Sequence, residues 1–194
     1  MPRIVKEPEE RKEELLQIGI RFFLQGGSKN MSVQNIVKEA NVATGLFYYY
    51  FKTKEDFIEQ ALERYANDYF VDLNKIVGDK SISVLDRLNL LLNQSYARFH
   101  KVGKINGDEM FNTPWHFALE SMMVQRLYKS IIEFVAEGME SGDFRIVEPG
   151  ITALYLVCGL MGILLRVELS NNVKLDEEIR RLVYATLSVD LLED

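Results

Sequence analysis

The chain has few of the residues that support metal or thiol chemistry. Its 194 residues include one cysteine, Cys158, and two histidines, His100 and His116. One cysteine excludes a disulfide framework or a cysteine-based metal site within a single chain, and two histidines are too few for a histidine-rich metal site. No nucleophile–base pair or glycine-rich phosphate loop is visible either. We therefore predict no metal, no cofactor and no enzymatic activity.

Long apolar runs are also missing. The longest, "ITALYLVCGLMGILL" (151–165), has 15 residues and is closed by Arg166. A membrane-spanning helix needs about 20 apolar residues, so this run predicts a buried helix and no membrane association. The first sixteen residues, "MPRIVKEPEERKEELL", are charged, unlike a signal peptide. Cytoplasmic residence is the resulting expectation.

Glycine (12) and proline (4) are scarce, and no segment alternates polar and apolar residues as a half-buried strand would. Apolar residues recur instead at helical spacing, which predicts an all-α fold. Glycines at 26 and 27 and the residues around them predict the end of the first helix, and "GKING" predicts a later break. The helices are expected over 9–24, 33–40, 43–50, 54–78, 83–99, 114–141, 149–169 and 176–192. Ser32 and Thr53 are predicted to cap the second and fourth of these helices, and Ser83 to start the fifth.

The net charge of −6 hides an asymmetry. Up to Lys54 there are nine basic and six acidic residues, a net of +3, whereas the remainder carries −9. A basic end on an acidic protein is typical of contact with a polyanion, although chance in a short window gives the same count.

Two short helices at 32–40 and 43–50, with Asn41 at the bend, form a candidate helix-turn-helix. In this motif the second helix enters the DNA major groove. The sequence "ATGLFYYYFKTKEDF" (43–57) fits this role. Its spacing predicts that Ala43, Phe47 and Phe51 face the core. The opposite side then carries residues suited to DNA: Thr44, Gly45, Tyr48 and Tyr49.

Tyrosine offers a hydroxyl to phosphate and a flat face to sugars and thymine methyl groups. Lys52 and Lys54 stand at the start of the next helix, where their charges and free backbone N–H groups are expected to hold phosphate. The alternative from composition alone is an aromatic-rich pair of core helices with ordinary caps.

The stretch "SVQNIVKEANVATGLFYYYFKTKEDF" (32–57) resembles the DNA-binding signature of the tetracycline-repressor (TetR) family of bacterial regulators. The tight match runs from about Met31 to Phe57. The resemblance implies an N-terminal three-helix DNA-binding domain (1–53) and a helical ligand-binding and dimerisation domain (54–194). It also implies base or groove contacts by Gln34, Thr44, Gly45, Leu46 and Tyr48, and phosphate contacts by Tyr49, Tyr50 and Lys54.

Three positions depart from the common pattern of that family, two of them at the start of the recognition helix. Ala43 stands where many members have a capping serine, and Thr44 where many have lysine, so the recognition helix is neutral. Phosphate affinity must then come from its flanks, namely Lys29, Lys52, Lys54, Arg3 and Lys6. Asn41 replaces a common turn glycine but tolerates the left-handed conformation.

The second region contains a cluster of methionine and aromatic residues. Such residues line apolar ligand pockets, although plain core packing gives the same pattern. The predicted pocket for a mostly apolar effector lies between helices 54–77, 83–99, 114–141 and 149–169. Its candidate residues are Tyr96, Phe99, His100, Met110, Phe111, Trp115, His116, Met122 and Met123.

The last two helices are the predicted dimer surface, because the first is apolar nearly all round and the chain has few helices to cover it. Complete burial within one chain is the alternative. The residues expected at the interface are Gly159, Gly162, Leu182, Ala185 and Val189. Together these features predict a homodimeric repressor that binds a palindromic operator and responds to a small molecule. A helical small-molecule binding protein without DNA activity is the alternative.

Overall fold

The computed structural model describes residues 7–102, 114–164 and 174–189, without the side chains of 26–29, 99–102, 114–116 and 164. These residues contain no strand, which confirms the predicted all-α class. The described helices are α1 (Pro8–Asn30), α2 (Val33–Glu39), α3 (Thr44–Tyr50), α4 (Lys54–Gly78), α5 (Val84–Val102), α6 (Pro114–Ser141), α7 (Pro149–Leu164) and α8 (Leu175–Leu187). Within the described ranges, no helix has the length and apolar character needed to cross a bilayer.

Polar caps begin three of the helices where the sequence predicts them. The Ser32 hydroxyl accepts from the Asn35 N–H at 3.1 Å, and the Thr53 hydroxyl accepts from the Asp56 N–H at 3.0 Å. Ser83 caps α5 in the same way through the Asp86 N–H. Each cap satisfies an amide of the first helical turn that has no partner within the helix.

Left-handed residues end three helices. Asn41 (φ 51°) follows α2, Gly142 (φ 82°) follows α6, and Ser188 (φ 51°) follows α8. At Ser188 the Val189 N–H bonds back to the Tyr184 carbonyl at 2.9 Å, which is the long bond of a Schellman motif. The prediction that α8 continues to residue 192 was wrong, because this motif stops the helix at Leu187. Residues 190–194 lie outside the described residues.

The prediction that the glycines at 26 and 27 end α1 was also wrong. The helix continues through both to Asn30. Glycine in a helix costs only about 1 kcal/mol relative to alanine, so it weakens a helix without forbidding it. Buried Phe23 and Met31 lie on either side of this stretch and join the core, and their packing outweighs the local preference. The predicted break "GKING" (103–107) lies outside the described residues.

α4 connects the two parts of the molecule. Near its start, Phe57 packs so closely on α1 that a Cβ built on Gly19 would lie 2.4 Å from the Phe57 ring. Two turns further on, Arg64 of α4 bonds to Glu13 of α1 at 2.9 Å. The rest of α4 packs against α5 and α6. A single rigid element therefore runs from the N-terminal helices into the helical bundle.

A buried arginine fastens the far end of α4 to α5 and α6. Arg87 is 2% exposed, and its guanidinium donates to the Val77 carbonyl at 2.7 Å and to both carboxylate oxygens of Glu137 at 2.6 and 3.0 Å. Lys80 also bonds to Glu137. The hydrogen bonds from Arg87 and then Lys80 lower the pKa of Glu137 from 4.5 to about 2.

We predict that Glu137→Gln lowers the free energy of unfolding by about 1–3 kcal/mol at pH 7, because it leaves the buried guanidinium without its anion. The folded-state pKa of Glu137 is depressed, so its contribution is present above about pH 4.5 and is lost as the pH falls towards 2. Urea unfolding should therefore show the gap between the two proteins shrinking over this range.

The matched control is Glu178→Gln, which removes an exposed carboxylate paired with Arg181 within one helix. It should change stability by less than about 0.5 kcal/mol at any pH. A gap for Glu137→Gln that stays constant from pH 6 to pH 2.5 would contradict the assigned role of the ion pair.

Candidate DNA-binding surface and internal cavity

A fixed turn joins α2 to α3. After α2, the Val42 N–H bonds to the Val37 carbonyl at 2.9 Å and the Asn41 N–H to the Lys38 carbonyl at 3.2 Å. Asn41 takes the left-handed conformation as predicted, and buried Ala40 anchors the turn in the core. The two short helices thus form a helix-turn-helix whose bend is held by backbone bonds.

The aromatic run of α3 divides into a buried and an exposed set. Phe47 and Phe51 are fully buried, and their ring centroids lie 5.1 and 4.8 Å from that of Phe57 at the start of α4. Tyr48 and Tyr49 are 52% and 75% exposed. The predicted division of these four residues is confirmed, and the exposed tyrosines occupy the outer side of the second helix of the motif.

The first residue of the run behaves differently from its prediction. Ala43 is exposed and does not face the core. The reason is that α3 begins only at Thr44, while Ala43 is its N-cap with extended backbone (φ −73°, ψ 145°) and no side-chain capping bond. Helical spacing therefore predicts side-chain directions only from Thr44 onward and does not apply to Ala43.

The other predicted DNA contacts that the structure describes are all at least partly exposed. Gln34 on α2, Thr44 and Gly45 at the start of α3, and Lys52 after it are exposed. Leu46, Tyr50 and Lys54 are half-buried. A Cβ on Gly45 would meet nothing within 4 Å, so space remains for a groove edge there. Arg3, Lys6 and the side chain of Lys29 lie outside the described residues.

The start of α4 is capped more completely than the sequence suggested. The Lys52 N–H donates to the Asp56 carboxylate at 2.8 Å. Asp56 also accepts from Gln60 at 2.7 Å, and these bonds lower the pKa of the Asp56 carboxyl. The Lys52 amide is therefore not one of the free N–H groups that the sequence predicts at this helix start, and the prediction that this amide is free to bind phosphate was wrong.

The predicted effector residues are only partly described. Buried Tyr96 donates its hydroxyl to the Asp176 carbonyl at 2.8 Å, and burial raises its pKa to about 12. Met123 is buried, and half-buried Met122 packs against the core. The following residues or their side chains lie outside the described residues: Phe99, His100, Met110, Phe111, Trp115 and His116.

A cavity of about 70 Å³ lies in the core of the second region, between α4, α5, α6, α7 and α8. This is the place between helices where the sequence predicts a pocket, but Tyr96, Met122 and Met123 do not line it. Its wall is formed by aliphatic residues together with Tyr69, Ser95, Phe134 and Met161. Leucine and valine at ordinary core spacing give no sequence signal for a cavity, which is why these residues were missed.

One side of α7 and α8 exposes apolar residues. Gly159, Leu182 and Ala185 are exposed, and Gly162 and Val189 are half-buried. No neighbour lies within 4 Å of a Cβ built on Gly159 or Gly162. We call this surface the α7–α8 face. It also includes the exposed residues Ile151, Leu154 and Tyr155.

The fold and the helix-turn-helix define a helical DNA-binding regulator, and comparison with known proteins gives its family. Residues 15–61 match the model of "Bacterial regulatory proteins, tetR family". The chain is 27% identical over 150 residues to the HTH-type transcriptional repressor KstR2 of Mycolicibacterium smegmatis, covering 74% of this chain and 72% of that protein. It is 32% identical over 96 residues to the repressor NemR of Escherichia coli, covering 50% and 48%.

The crystal structure of reduced Escherichia coli NemR superimposes with a TM-score of 0.75 at 20% identity, covering 95% of this chain and 98% of that one. Residues 15–61 therefore belong to the TetR family of DNA-binding domains, and the chain resembles transcriptional repressors of that family. The predicted resemblance is thereby confirmed, and the relatives named here are transcriptional repressors rather than enzymes.

The division of the aromatic run is open to a direct stability test. Phe47→Ala should lower the free energy of unfolding by about 3–5 kcal/mol, because it empties the centre of the N-terminal core. Tyr49→Ala, the matched change on the neighbouring outer side, should alter it by less than about 0.5 kcal/mol. Urea unfolding followed by circular dichroism measures both, and equal losses would contradict the division.

Proposed function

We propose that this protein is a cytoplasmic homodimeric repressor that binds a palindromic DNA operator and releases it on binding a small, mostly apolar effector. Residues 1–53 form the DNA-binding domain and residues 54–194 bind the effector and the second subunit. The observation that carries the proposal is the outward display of Tyr48 and Tyr49 from a helix whose other side is fully buried. Solvent-facing tyrosines on a second motif helix suit a DNA groove.

The contacts fall into two groups by chemistry. Gln34, Thr44, Gly45, Leu46 and Tyr48 are proposed to face the bases, because they surround the start and outer side of α3. Tyr49, Tyr50, Lys52 and Lys54 are proposed to hold phosphates, which positions the protein without reading sequence. With a neutral recognition helix, the lysines supply most of the salt-dependent affinity.

Variants of the two groups should behave differently. Tyr49→Phe and Lys54→Ala should weaken binding to operator and random duplex by the same factor, since each removes a phosphate contact. Gln34→Ala should weaken operator binding by about 1–3 kcal/mol and relax the preference at one base pair. Fluorescence anisotropy with both duplexes measures these effects.

The same titrations at several salt concentrations supply the control for DNA binding itself. Operator affinity should fall steeply as salt rises, and Lys54→Ala should reduce the slope by about one. A Gln34→Ala variant that lost operator and random binding equally would contradict base reading. Affinity independent of salt would favour the alternative of a binding protein without DNA activity.

The α7–α8 face is the proposed dimer interface. It combines exposed large side chains, such as Leu182 and Tyr155, with glycines that allow close helix approach. A second copy of the chain would bury these residues about a two-fold axis. The two recognition helices must then reach successive turns of the major groove, so their centres lie about 34 Å apart.

A charge in this face should separate the subunits. Leu182→Glu should give a monomer in sedimentation velocity at micromolar concentration, because it would bury an unpaired carboxylate at the interface. Val71→Glu is the matched control, since Val71 on α4 is also 51% exposed but lies outside the face. It should leave the dimer intact. A monomeric unaltered protein, with and without operator, would overturn the proposed assembly.

The switch is proposed to act through α4. Arg126 of α6 bonds to Glu63 and Asn67 of α4, and the adjacent Arg64 bonds to Glu13 of α1. Tyr69, two residues beyond Asn67, lines the cavity. An effector that tilts α4 would change the separation of the recognition helices. A coupling of about 1–3 kcal/mol would weaken DNA binding 5- to 150-fold, and operator would weaken effector binding equally.

A further inference from the structure

The described wall of the core cavity is apolar except for one pair of hydroxyl groups. Of the described residues that line it, only Tyr69 and Ser95 have polar side-chain atoms, and none is charged. The two hydroxyl oxygens lie 3.1 Å apart, between α4 and α5. The remaining lining comes from residues such as Leu88, Phe134 and Met161. A ligand in this space can form hydrogen bonds with side chains only at the tyrosine–serine pair.

The direction of the hydrogen bonds fixes what this pair offers. A serine hydroxyl has one proton, and Ser95 donates it to the Leu91 carbonyl at 2.8 Å. The bond between Ser95 and Tyr69 must therefore be donated by Tyr69. With both protons used, only oxygen lone pairs remain for a ligand. The pair accepts a hydrogen bond and has no proton left to donate.

An anion does not fit this environment. Burial raises the pKa of the Tyr69 hydroxyl, so it stays neutral. The Arg98 guanidinium lies over the outside of the Tyr69 ring, 5.1 Å from its centroid, and is already paired with Asp72. A carboxylate inside the cavity would lose its hydration and gain no positive partner from the described wall.

The volume limits the size of the occupant. An apolar cavity that holds benzene measures about 150 Å³, and this one has about half that volume. A molecule of four or five heavy atoms, or the end of a longer one that displaces a wall residue, matches this space.

We propose that the effector of this regulator is a neutral, mostly hydrocarbon molecule whose hydroxyl group donates a hydrogen bond to the Tyr69–Ser95 pair. This proposal rests on the proposed function, because it takes the cavity to be the effector site. The preference for an alcohol depends on the cavity alone. Tyr69 and Ser95 are then residues that determine specificity, because they favour an alcohol over a ketone or an acid of the same shape.

Three four-carbon probes separate these chemistries: isobutanol donates a hydrogen bond, butanone only accepts one, and isobutyrate is charged. Each is titrated into the full-length protein, and binding is followed by NMR of the methyl groups of the lining residues Leu92, Met161 and Val183. Isobutanol should bind about fivefold more tightly than butanone, the factor that one net hydrogen bond contributes. Isobutyrate should produce no shifts.

Two conservative variants test the assigned bond directions. In Ser95→Ala, the Tyr69 hydroxyl loses its acceptor and can donate its proton to a ligand. Butanone should then bind as tightly as isobutanol or more tightly. Tyr69→Phe removes one acceptor, but the Ser95 hydroxyl still donates to the Leu91 carbonyl and keeps its lone pairs free, so isobutanol should remain the tighter ligand. Ser141→Ala, which removes a surface hydroxyl that does not line the cavity, is the control and should change neither affinity.

The outcomes are distinct. Equal binding of isobutanol and butanone to the unaltered protein, an order unchanged in Ser95→Ala, or no shift at the lining methyl groups with any probe would each overturn the proposal. No DNA is present in these titrations, so their result is independent of repression. Operator binding measured separately with isobutanol tests the switch, and a bound probe without effect on operator would contradict the switch alone.

Discussion

The packing of three phenylalanine rings at the joint between α3 and α4 is the contact on which the rest of the structure depends. Phe47 and Phe51 close one side of the recognition helix, and Phe57 meets both from the first turn of α4. Such aromatic pairs contribute about 0.5–1.5 kcal/mol each beyond the area they bury. Gly19 completes the joint, because any side chain there would occupy the space of the Phe57 ring.

This joint is also the point at which a movement of α4 in the proposed switch would act on α3. Phe57 fixes α4 to α3, and further along the same helix packs against α5 and α6. Arg64 of α4 bonds to Glu13 of α1, and the neighbouring Glu63 accepts from Arg126 of α6, so α1 and α6 contact α4 at adjacent residues. In the proposed switch, a displacement at Tyr69 would reach the aromatic joint through one continuous helix.

The sequence predicted the parts of the fold that depend on local chemistry. Ser32, Thr53 and Ser83 cap helices because a short hydroxyl side chain reaches the nearest free amide, whatever the tertiary setting. The division of Phe47 and Phe51 from Tyr48 and Tyr49 follows from helical periodicity once the helix is assigned. The glycines of α1 show the limit of this reasoning, because distant packing decided between two locally similar outcomes.

The sequence predicted a pocket between these helices but not its lining, since the lining depends on how five helices meet rather than on any one of them. Leucine and valine positions read as core in either case, and a void appears only where their volumes fail to fill the space. Its polar character depends on one backbone carbonyl. Leu91 accepts the hydrogen bond of Ser95, so Tyr69 donates to Ser95 and only oxygen lone pairs remain for a ligand. The chemical preference of the cavity is thus set by a backbone carbonyl that no ligand needs to touch. The identity of the wall residues alone does not show that the pair only accepts hydrogen bonds, because this depends on the directions of two hydrogen bonds.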